Sequence, residues 1–223
     1  MSTSNLQPFY LGVDVAGTKN TWMAALTADN GNLNLITQPH KAKLKDIVDY
    51  CEKNDVIAAA IDAQLTIAVS EDNGFRNSDK ELRAQLPKDC RNWVASINSL
   101  SAVPIRGRLL ADSLSPTVGT ILETHPQASL YFGLGYDEPI KTALKNYKKG
   151  PNTDKHISTL WQAWSTHFNI TSNEVFRDDG ALDAVVCATV AYSFHHQPEK
   201  LHRLRHKAPD KTGRGPFYVL KVE

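Results

Sequence analysis

Four acidic residues lie beside or within apolar runs of this 223-residue sequence, namely Asp14, Asp62, Glu123 and Asp183. A carboxylate in such a setting is costly to bury unless it is paired or binds a cation. Each acid alone is typical of a turn or a cap, but four in the same kind of setting predict one shared acidic site. A carboxylate cluster with no Cys or His ligand motif suits the hard ions Mg²⁺ or Mn²⁺.

Such a cluster could hydrolyse a phosphodiester. Two divalent ions about 4 Å apart can activate a water molecule and stabilise the leaving oxygen. This chemistry needs oxygen ligands from several elements, one of which bridges both ions, and Asp14 is the predicted bridge. The four acids are therefore predicted to be both the catalytic and the metal-binding residues.

Four basic residues are candidates to bind substrate phosphates: Lys19, Arg76, Arg83 and Lys148. Arg76 and Arg83 lie in a segment of alternating charges, which also fits a solvated helix start capped by Ser78 or Asp79. In the alternative interpretation one of these two arginines meets a phosphate. Lys148 ends a predicted helix, where a cation is favourable to the helix dipole.

Composition excludes several classes of protein. The formal net charge of +1 gives no global field that would attract nucleic acid, so any basic surface must be local. The three cysteines are odd in number and form no CxxC pair, which predicts a reducing compartment and no structural zinc. The sequence has no secretory-signal pattern and no apolar run long enough to span a bilayer. We therefore expect a cytoplasmic protein without membrane contact.

Hydrophobic periodicity predicts the elements that must position the acids. The first half of the chain is expected to form strands at 8–16, 20–28 and 32–37, a helix at 41–54 and a strand at 56–62. An Asn-Gly pair between the second and third strands predicts a hairpin. The fully apolar strand before Asp62 is predicted to be central, with Asp62 at the carboxyl end, where ligands bind in open α/β sheets.

The second half is predicted to be mainly helical. Helices are expected at 88–100, from 126, at 138–148, at 154–168 and from 178, with strands at 119–123 and 216–222. His125 is either a loop residue facing solvent or a residue of the site, as a ligand or a proton carrier. The Trp-rich helix 154–168 could pack internally or pair with a second copy of the chain. The basic run at 200–214 is either a solvated loop or a patch that tracks phosphates.

The helix that begins near residue 178 carries the fourth acid. Asp178 or Asp179 can cap it, whereas Asp183 lies about one turn inside and shares a face with Asp179. Two like charges on one apolar face are unfavourable alone, and a divalent cation would relieve their repulsion. Small residues at positions 180, 181, 184 and 188 would let this helix approach the sheet closely. Asp183 is therefore expected near the strand ends.

Four segments in order resemble a known group: GVDVAGTKNTW, AAIDAQLTI followed by RNSDKELR, ILETHP and DDGALDAVVCATVA. They resemble the domain of unknown function 429 family, predicted nucleases of the RNase H-like superfamily. The resemblance implies an α/β, three-layer fold, with a mixed central sheet of three antiparallel strands then parallel strands, flanked by helices. It also implies a metal-dependent nuclease site at Asp14, Asp62, Glu123 and Asp183, with RNA or DNA as substrate.

The sequence departs from the pattern of similar proteins at two places. Gln64 stands where the family often has proline, and Asp179 lies four residues before Asp183, whereas resolvases commonly space two acids three apart. We expect one domain over 1–223, with a core at about 8–195 and a basic extension at about 196–223.

Two other functions remain open from the sequence. Residues 14–19 also resemble the first phosphate loop of sugar kinases, but the chain is short for two lobes and shows no second loop. A non-catalytic RNase H-like binding or scaffold protein is the main alternative to a nuclease.

Overall fold

The computed structural model describes residues 7–67, 73–100, 102–172, 174–205 and 212–221. Its strands are β1 Phe9–Asp14, β2 Trp22–Asp29, β3 Asn32–Lys41, β4 Val56–Asp62, β5 Thr66–Ile67, β6 Thr120–Glu123, β7 Ile170–Thr171, β8 Leu201–Leu204, β9 Thr212–Gly213 and β10 Phe217–Leu220. Its α-helices are α1 Leu44–Lys53, α2 Asn77–Gln85, α3 Ala102–Leu114, α4 Pro126–Leu134, α5 Ile140–Asn146, α6 Thr153–His167 and α7 Asp179–His196. Short 3₁₀ helices lie at Lys88–Trp93, Ile97–Ser99 and Pro198–Lys200.

The main sheet of the described chain has eight strands in the order β7-β3-β2-β1-β4-β6-β10-β8. The strands β1, β2 and β3 pair antiparallel, whereas β1, β4, β6 and β10 run parallel to one another. At the edges β7 is parallel to β3 and β8 is antiparallel to β10. Strands β5 and β9 form a separate antiparallel pair.

Helices cover both faces of the sheet. Alternate residues of the central strands point to opposite faces, so Tyr10 joins the apolar cluster on the side of α4, α6 and α7, while Leu11 joins the cluster on the side of α1 and α3. Helix α7 is buried along almost its whole length, which explains why it is apolar on all sides. The predicted three-layer fold with a mixed sheet, which the RNase H-like resemblance implied, is confirmed.

The predicted helix over residues 88–100 is wrong. The chain instead forms two 3₁₀ helices separated by extended backbone, which begins at Val94. The guanidinium group of Arg83 donates to the backbone carbonyls of Arg91 and Val94. These carbonyls therefore bond to a side chain rather than to helical amides. The apolar residues whose spacing predicted a helix lie in an irregular segment instead.

Helix α3 was not predicted, because Pro104 and Gly107 interrupt its pattern. Pro104 lies in the first turn, where a missing amide hydrogen costs nothing. Gly107 lies against Ala63, whose Cβ would be only 2.3 Å from a Cβ at position 107. The glycine thus marks close packing of α3 on the sheet rather than a loop.

The segment after residue 196 contributes to the sheet. Leu201 and Leu204 are buried in β8, which lies within the run that was predicted as a loop or a phosphate-tracking patch. Residues 206–211 of that basic run lie outside the described residues. The final strand predicted at 216–222 corresponds to β10.

Two further expectations concern association and sulfur chemistry. Trp161 and Trp164 of α6 are buried within the chain, so the aromatic stripe packs internally. Cys51, Cys90 and Cys187 are buried and free. Among the described residues, no helix is both long and apolar enough to cross a membrane.

Candidate metal centre

Strands β1 and β4 bring the first two acids together. They are adjacent, parallel and in a register that pairs Asp14 with Asp62, and both strands end at these residues. Side chains at paired positions of neighbouring strands point to the same face. The two carboxylates therefore lie side by side on the face that α7 covers, at the carboxyl edge of the sheet.

Close packing of α7 on β1 brings in the third acid. A Cβ at Gly12 would lie 1.9 Å from the backbone oxygen of Ala184, so the helix backbone rests directly on the strand. One turn earlier in the helix, a Cβ at Gly180 would meet the indole of Trp22 at 2.3 Å and a carboxylate oxygen of Asp14 at 2.9 Å. Because both positions lack side chains, α7 approaches the sheet closely enough to place Asp183 beside the strand ends.

The three aspartates form a compact oxygen cluster. One carboxylate oxygen from each of Asp14, Asp62 and Asp183 lies within 4.8 Å of the other two. Asp183 is fully buried, and the other two are partly buried. Three carboxylates from different elements at this spacing could hold a cation.

The electrostatics of the cluster favour a bound cation. Burial, together with the charges of Asp183 and Asp62, raises the pKa of Asp14 well above its ordinary value. Burial, with the neighbouring acids Asp183 and Glu123, raises the pKa of Asp62 to about 7, even though Lys148 acts in the opposite direction. The donor set fits a hard divalent ion, which takes oxygen ligands and would lower the cost of keeping these groups ionised.

Two residues after α5 hold Asp183 in place. The hydroxyl of Tyr147 donates to Oδ1 of Asp183 at 3.0 Å, and Nζ of Lys148 donates to Oδ2 at 2.6 Å. The side chain of Lys148 is about 34% exposed, so its ammonium group partly faces solvent. Lys148, predicted as a phosphate contact, thus lies at the cluster, whereas nothing in the sequence indicated that Tyr147 would contact an acid.

The structure does not bring Glu123 to the three aspartates. Strand β6 pairs Glu123 with Ile61, one position before Asp62, so its side chain points to the opposite face of the sheet. There it is buried and accepts hydrogen bonds from the guanidinium of Arg76 and from the backbone amide of Leu65. A ligand role for Glu123 stays a prediction, and it would require the carboxylate to leave these partners.

The remaining predicted phosphate contacts occupy different surroundings. Arg76 is buried and donates to Asp79 as well as to Glu123. Arg83 is partly buried and anchors the segment before α3 through backbone carbonyls. Lys19 lies exposed in the turn between β1 and β2. Of these three residues, Lys19 is the most exposed.

Two residues whose roles the sequence left open have structural surroundings of their own. Asp179 is partly buried near Asp183, where burial and that charge raise its pKa, but it is not part of the three-acid cluster. His125 is the N-cap of α4: Nδ1 accepts from the amide of Ala128 at 3.3 Å, and Nε2 lies 3.2 Å from the carbonyl oxygen of Trp93. Burial lowers its pKa, which favours a neutral ring that links two segments.

Comparisons with known proteins give a limited result. No protein-family model matches the chain, and no curated protein matches it. The motif likeness to the domain of unknown function 429 family therefore stays a resemblance. Among solved structures, T. thermophilus RuvC in complex with Holliday junction substrate is similar with a TM-score of 0.46 and 10% sequence identity. The alignment covers 85% of this chain and 96% of that chain, and a likeness of this size bears no weight for function.

Proposed function

We propose that this protein is a divalent-metal-dependent nuclease that hydrolyses phosphodiester bonds of nucleic acid. One observation carries the proposal: the carboxylates of Asp14, Asp62 and Asp183 converge within 4.8 Å at the carboxyl edge of the sheet. They come from two strands and a helix, which is the multi-element oxygen donor set that metal-assisted phosphodiester hydrolysis needs. The motif resemblance to predicted RNase H-like nucleases supports the choice of substrate.

In this proposal the three aspartates hold Mg²⁺ or Mn²⁺, with Asp14 as the central ligand. When bound, the metal supplies charge neutralisation at the phosphate and makes an attacking water more acidic. Tyr147 and Lys148 orient Asp183 through its two oxygens. Since Lys148 is partly exposed beside the acids, its ammonium group can also bind a phosphate oxygen of the substrate. Lys19, Arg76 and Arg83 stay proposed substrate contacts, and Glu123 a proposed fourth acid.

Cleavage of labelled single-stranded and duplex RNA and DNA tests this proposal. We expect cleavage with Mg²⁺ or Mn²⁺ and none with a chelator. Asp14→Asn and Asp183→Asn should each lower cleavage at least a hundredfold while the proteins stay folded. The matched control is Asp154→Asn, which changes an exposed acid in the first turn of α6 outside the three-aspartate cluster. This variant should retain activity. Full activity in both site variants would refute the proposal.

A non-catalytic binding role is the second candidate, and Lys148 is the observation that favours it. Its ammonium group already pairs with Asp183, so part of the negative charge is neutralised by the protein itself. A scaffold of this kind would bind nucleic acid equally well with and without divalent metal, and it would cleave none. A binding measurement on an intact oligonucleotide with a chelator, next to the cleavage assay, separates the two candidates.

A further inference from the structure

A cavity of about 220 Å³ adjoins the acidic cluster. Asp62 of the cluster lines the cavity, and so does Lys148, which pairs with Asp183. An apolar cavity of about 150 Å³ is large enough to hold benzene, so this one can take a single heterocyclic ring. A nucleotide with its phosphate at the acids would have its base beside this space.

The walls combine flat apolar surface with a few polar atoms. Trp93 supplies an aromatic side chain, and Val94, Leu100 and Val103 supply aliphatic ones. Any nucleobase can stack on an aromatic side chain, because every base has a π-face. His125 also lines the cavity, and its Nε2 lies 3.2 Å from the backbone carbonyl oxygen of Trp93. This contact ties the backbone of Trp93 to the start of α4.

Two residues that line the cavity each carry a buried side-chain oxygen with no hydrogen-bond partner among the described residues. These oxygens are Oε1 of Gln64 and Oγ1 of Thr124, in side chains that are 7% and 2% exposed. The amide nitrogen of Gln64 donates to the carbonyl of Ala95 at 3.1 Å, which leaves its oxygen as a free acceptor. A buried polar atom without a partner is costly, so a ligand whose hydrogen-bond donor reaches one of these oxygens would be favoured.

The charges in the lining argue against a free anion as the occupant. The carboxylates of Asp62, Asp79 and Glu123 line the same cavity. Its two cations are already paired, Arg76 with Asp79 and Glu123, and Lys148 with Asp183. A neutral ring with apolar faces and N–H groups at its edge matches these walls better than a phosphate does.

We propose that this cavity is a nucleobase subsite, in which the base stacks against Trp93 and donates a hydrogen bond to Thr124, with Oε1 of Gln64 as a second acceptor. The choice of a nucleobase rests on the proposed nuclease function, whereas the cavity and its unpaired oxygens do not. The subsite gives a nucleotide next to the acids a fixed orientation, and it selects for unpaired bases, because a base in a duplex cannot enter it.

Thr124→Val is the sharpest test, because it removes the free hydroxyl and keeps the shape of the side chain. Since that hydroxyl has no partner within the described residues, the variant should fold normally. The matched control is Ser193→Ala, which removes another unpartnered buried hydroxyl, in α7 outside the cavity lining. Binding of the four ribonucleoside 5′-monophosphates is measured by calorimetry with Mg²⁺ present, and ribose 5-phosphate serves as the probe without a base.

We expect at least one monophosphate to bind more tightly than ribose 5-phosphate. Thr124→Val should weaken that binding about threefold to tenfold, as the loss of one hydrogen bond predicts, and Ser193→Ala should leave it unchanged. Trp93→Ala should weaken it about tenfold or more through lost stacking. Equal binding of ribose 5-phosphate, or a Thr124→Val protein that binds as wild type does, would overturn the subsite.

The outcome separates the subsite from the nuclease function. One outcome is a protein that cleaves oligonucleotides but binds no monophosphate more tightly than ribose 5-phosphate. That result would overturn the subsite and leave the nuclease function standing. Base-dependent binding that Thr124→Val weakens, in a protein that cleaves no nucleic acid, would support the subsite and refute the nuclease function.

Discussion

Replacing Asp62 by Asn should stabilise the metal-free protein, and the gain should grow with pH. Burial and the neighbouring acids raise the pKa of Asp62 from 3.8 to about 7 in the folded chain. Between these values the folded state binds more protons than the unfolded state, so the stability of the wild type falls as pH rises through this window. Asn does not titrate, and the variant escapes this loss.

The size of this stability difference follows from the pKa shift of Asp62. A difference of about 3 pKa units is worth about 4 kcal/mol at 1.36 kcal/mol per unit, which is an upper limit. Asp62 is partly exposed and interacts with the other acids around it, so we expect about half of that, roughly 2 kcal/mol. The advantage of Asp62→Asn should rise from near zero at about pH 4 to this value at about pH 8.

Urea unfolding of both proteins across this pH range, with a chelator present, measures the difference directly. Asp154→Asn is the control, because Asp154 is exposed and its replacement should change stability by less than about 1 kcal/mol at every pH. If the difference in unfolding free energy between Asp62→Asn and wild type stays constant from pH 4 to pH 8, the raised pKa of Asp62 is refuted.

Three further substitutions test separate parts of the structure. Gly12→Ala should destabilise the protein by about 1–3 kcal/mol in thermal unfolding, because its Cβ would overlap the backbone of α7. The control Gly17→Ala has open space around the new Cβ and should leave the stability unchanged. Arg76→Met should cost about 3–5 kcal/mol in urea unfolding, because it leaves Glu123 buried without its partner; near-wild-type stability would contradict the ion pair. Lys148→Met should raise Mn²⁺ affinity in calorimetry about tenfold, the equivalent of one charge-assisted hydrogen bond, while exposed Lys149→Met leaves it unchanged.

Sequence patterns were sufficient for six strands of the main sheet, for the helices α1 and α4 to α7, and for the placement of three of the four acids. Apolar strands that end in Asp14 and Asp62 predict their own positions at the carboxyl edge of the sheet. The small residues of α7 predict its close approach and hence the position of Asp183. These inferences succeed because each depends on local periodicity and on the general geometry of parallel strands.

The position of Glu123 could not be predicted, because it depends on strand register. Strand β6 pairs Glu123 with Ile61 rather than with Asp62, and one residue of offset directs a side chain to the other face. Nothing in the local sequence specifies that offset. The pairing of Glu123 with Arg76 was missed for a different reason, because Arg76 lies 47 residues earlier in the chain.

The roles of one glycine and one tyrosine near the acids also depend on long-range packing. Gly12 reads locally as a weak point of a strand, but it is the place where α7 touches β1. Tyr147 reads as a core residue of its helix, but its hydroxyl donates to Asp183, 36 residues later. A glycine inside an apolar strand was the available signal for close backbone approach.

The most direct measurement of the central claim is calorimetric titration of Mn²⁺ into wild type, Asp14→Asn and Glu123→Gln, alone and with an oligonucleotide present. A metal centre built from Asp14, Asp62 and Asp183 predicts binding to wild type that Asp14→Asn abolishes. It also predicts that Glu123→Gln, if folded, retains binding, because its carboxylate lies on the other face of the sheet. Absence of Mn²⁺ binding in wild type under both conditions, or unchanged binding in Asp14→Asn, would contradict the assignment of a metal centre.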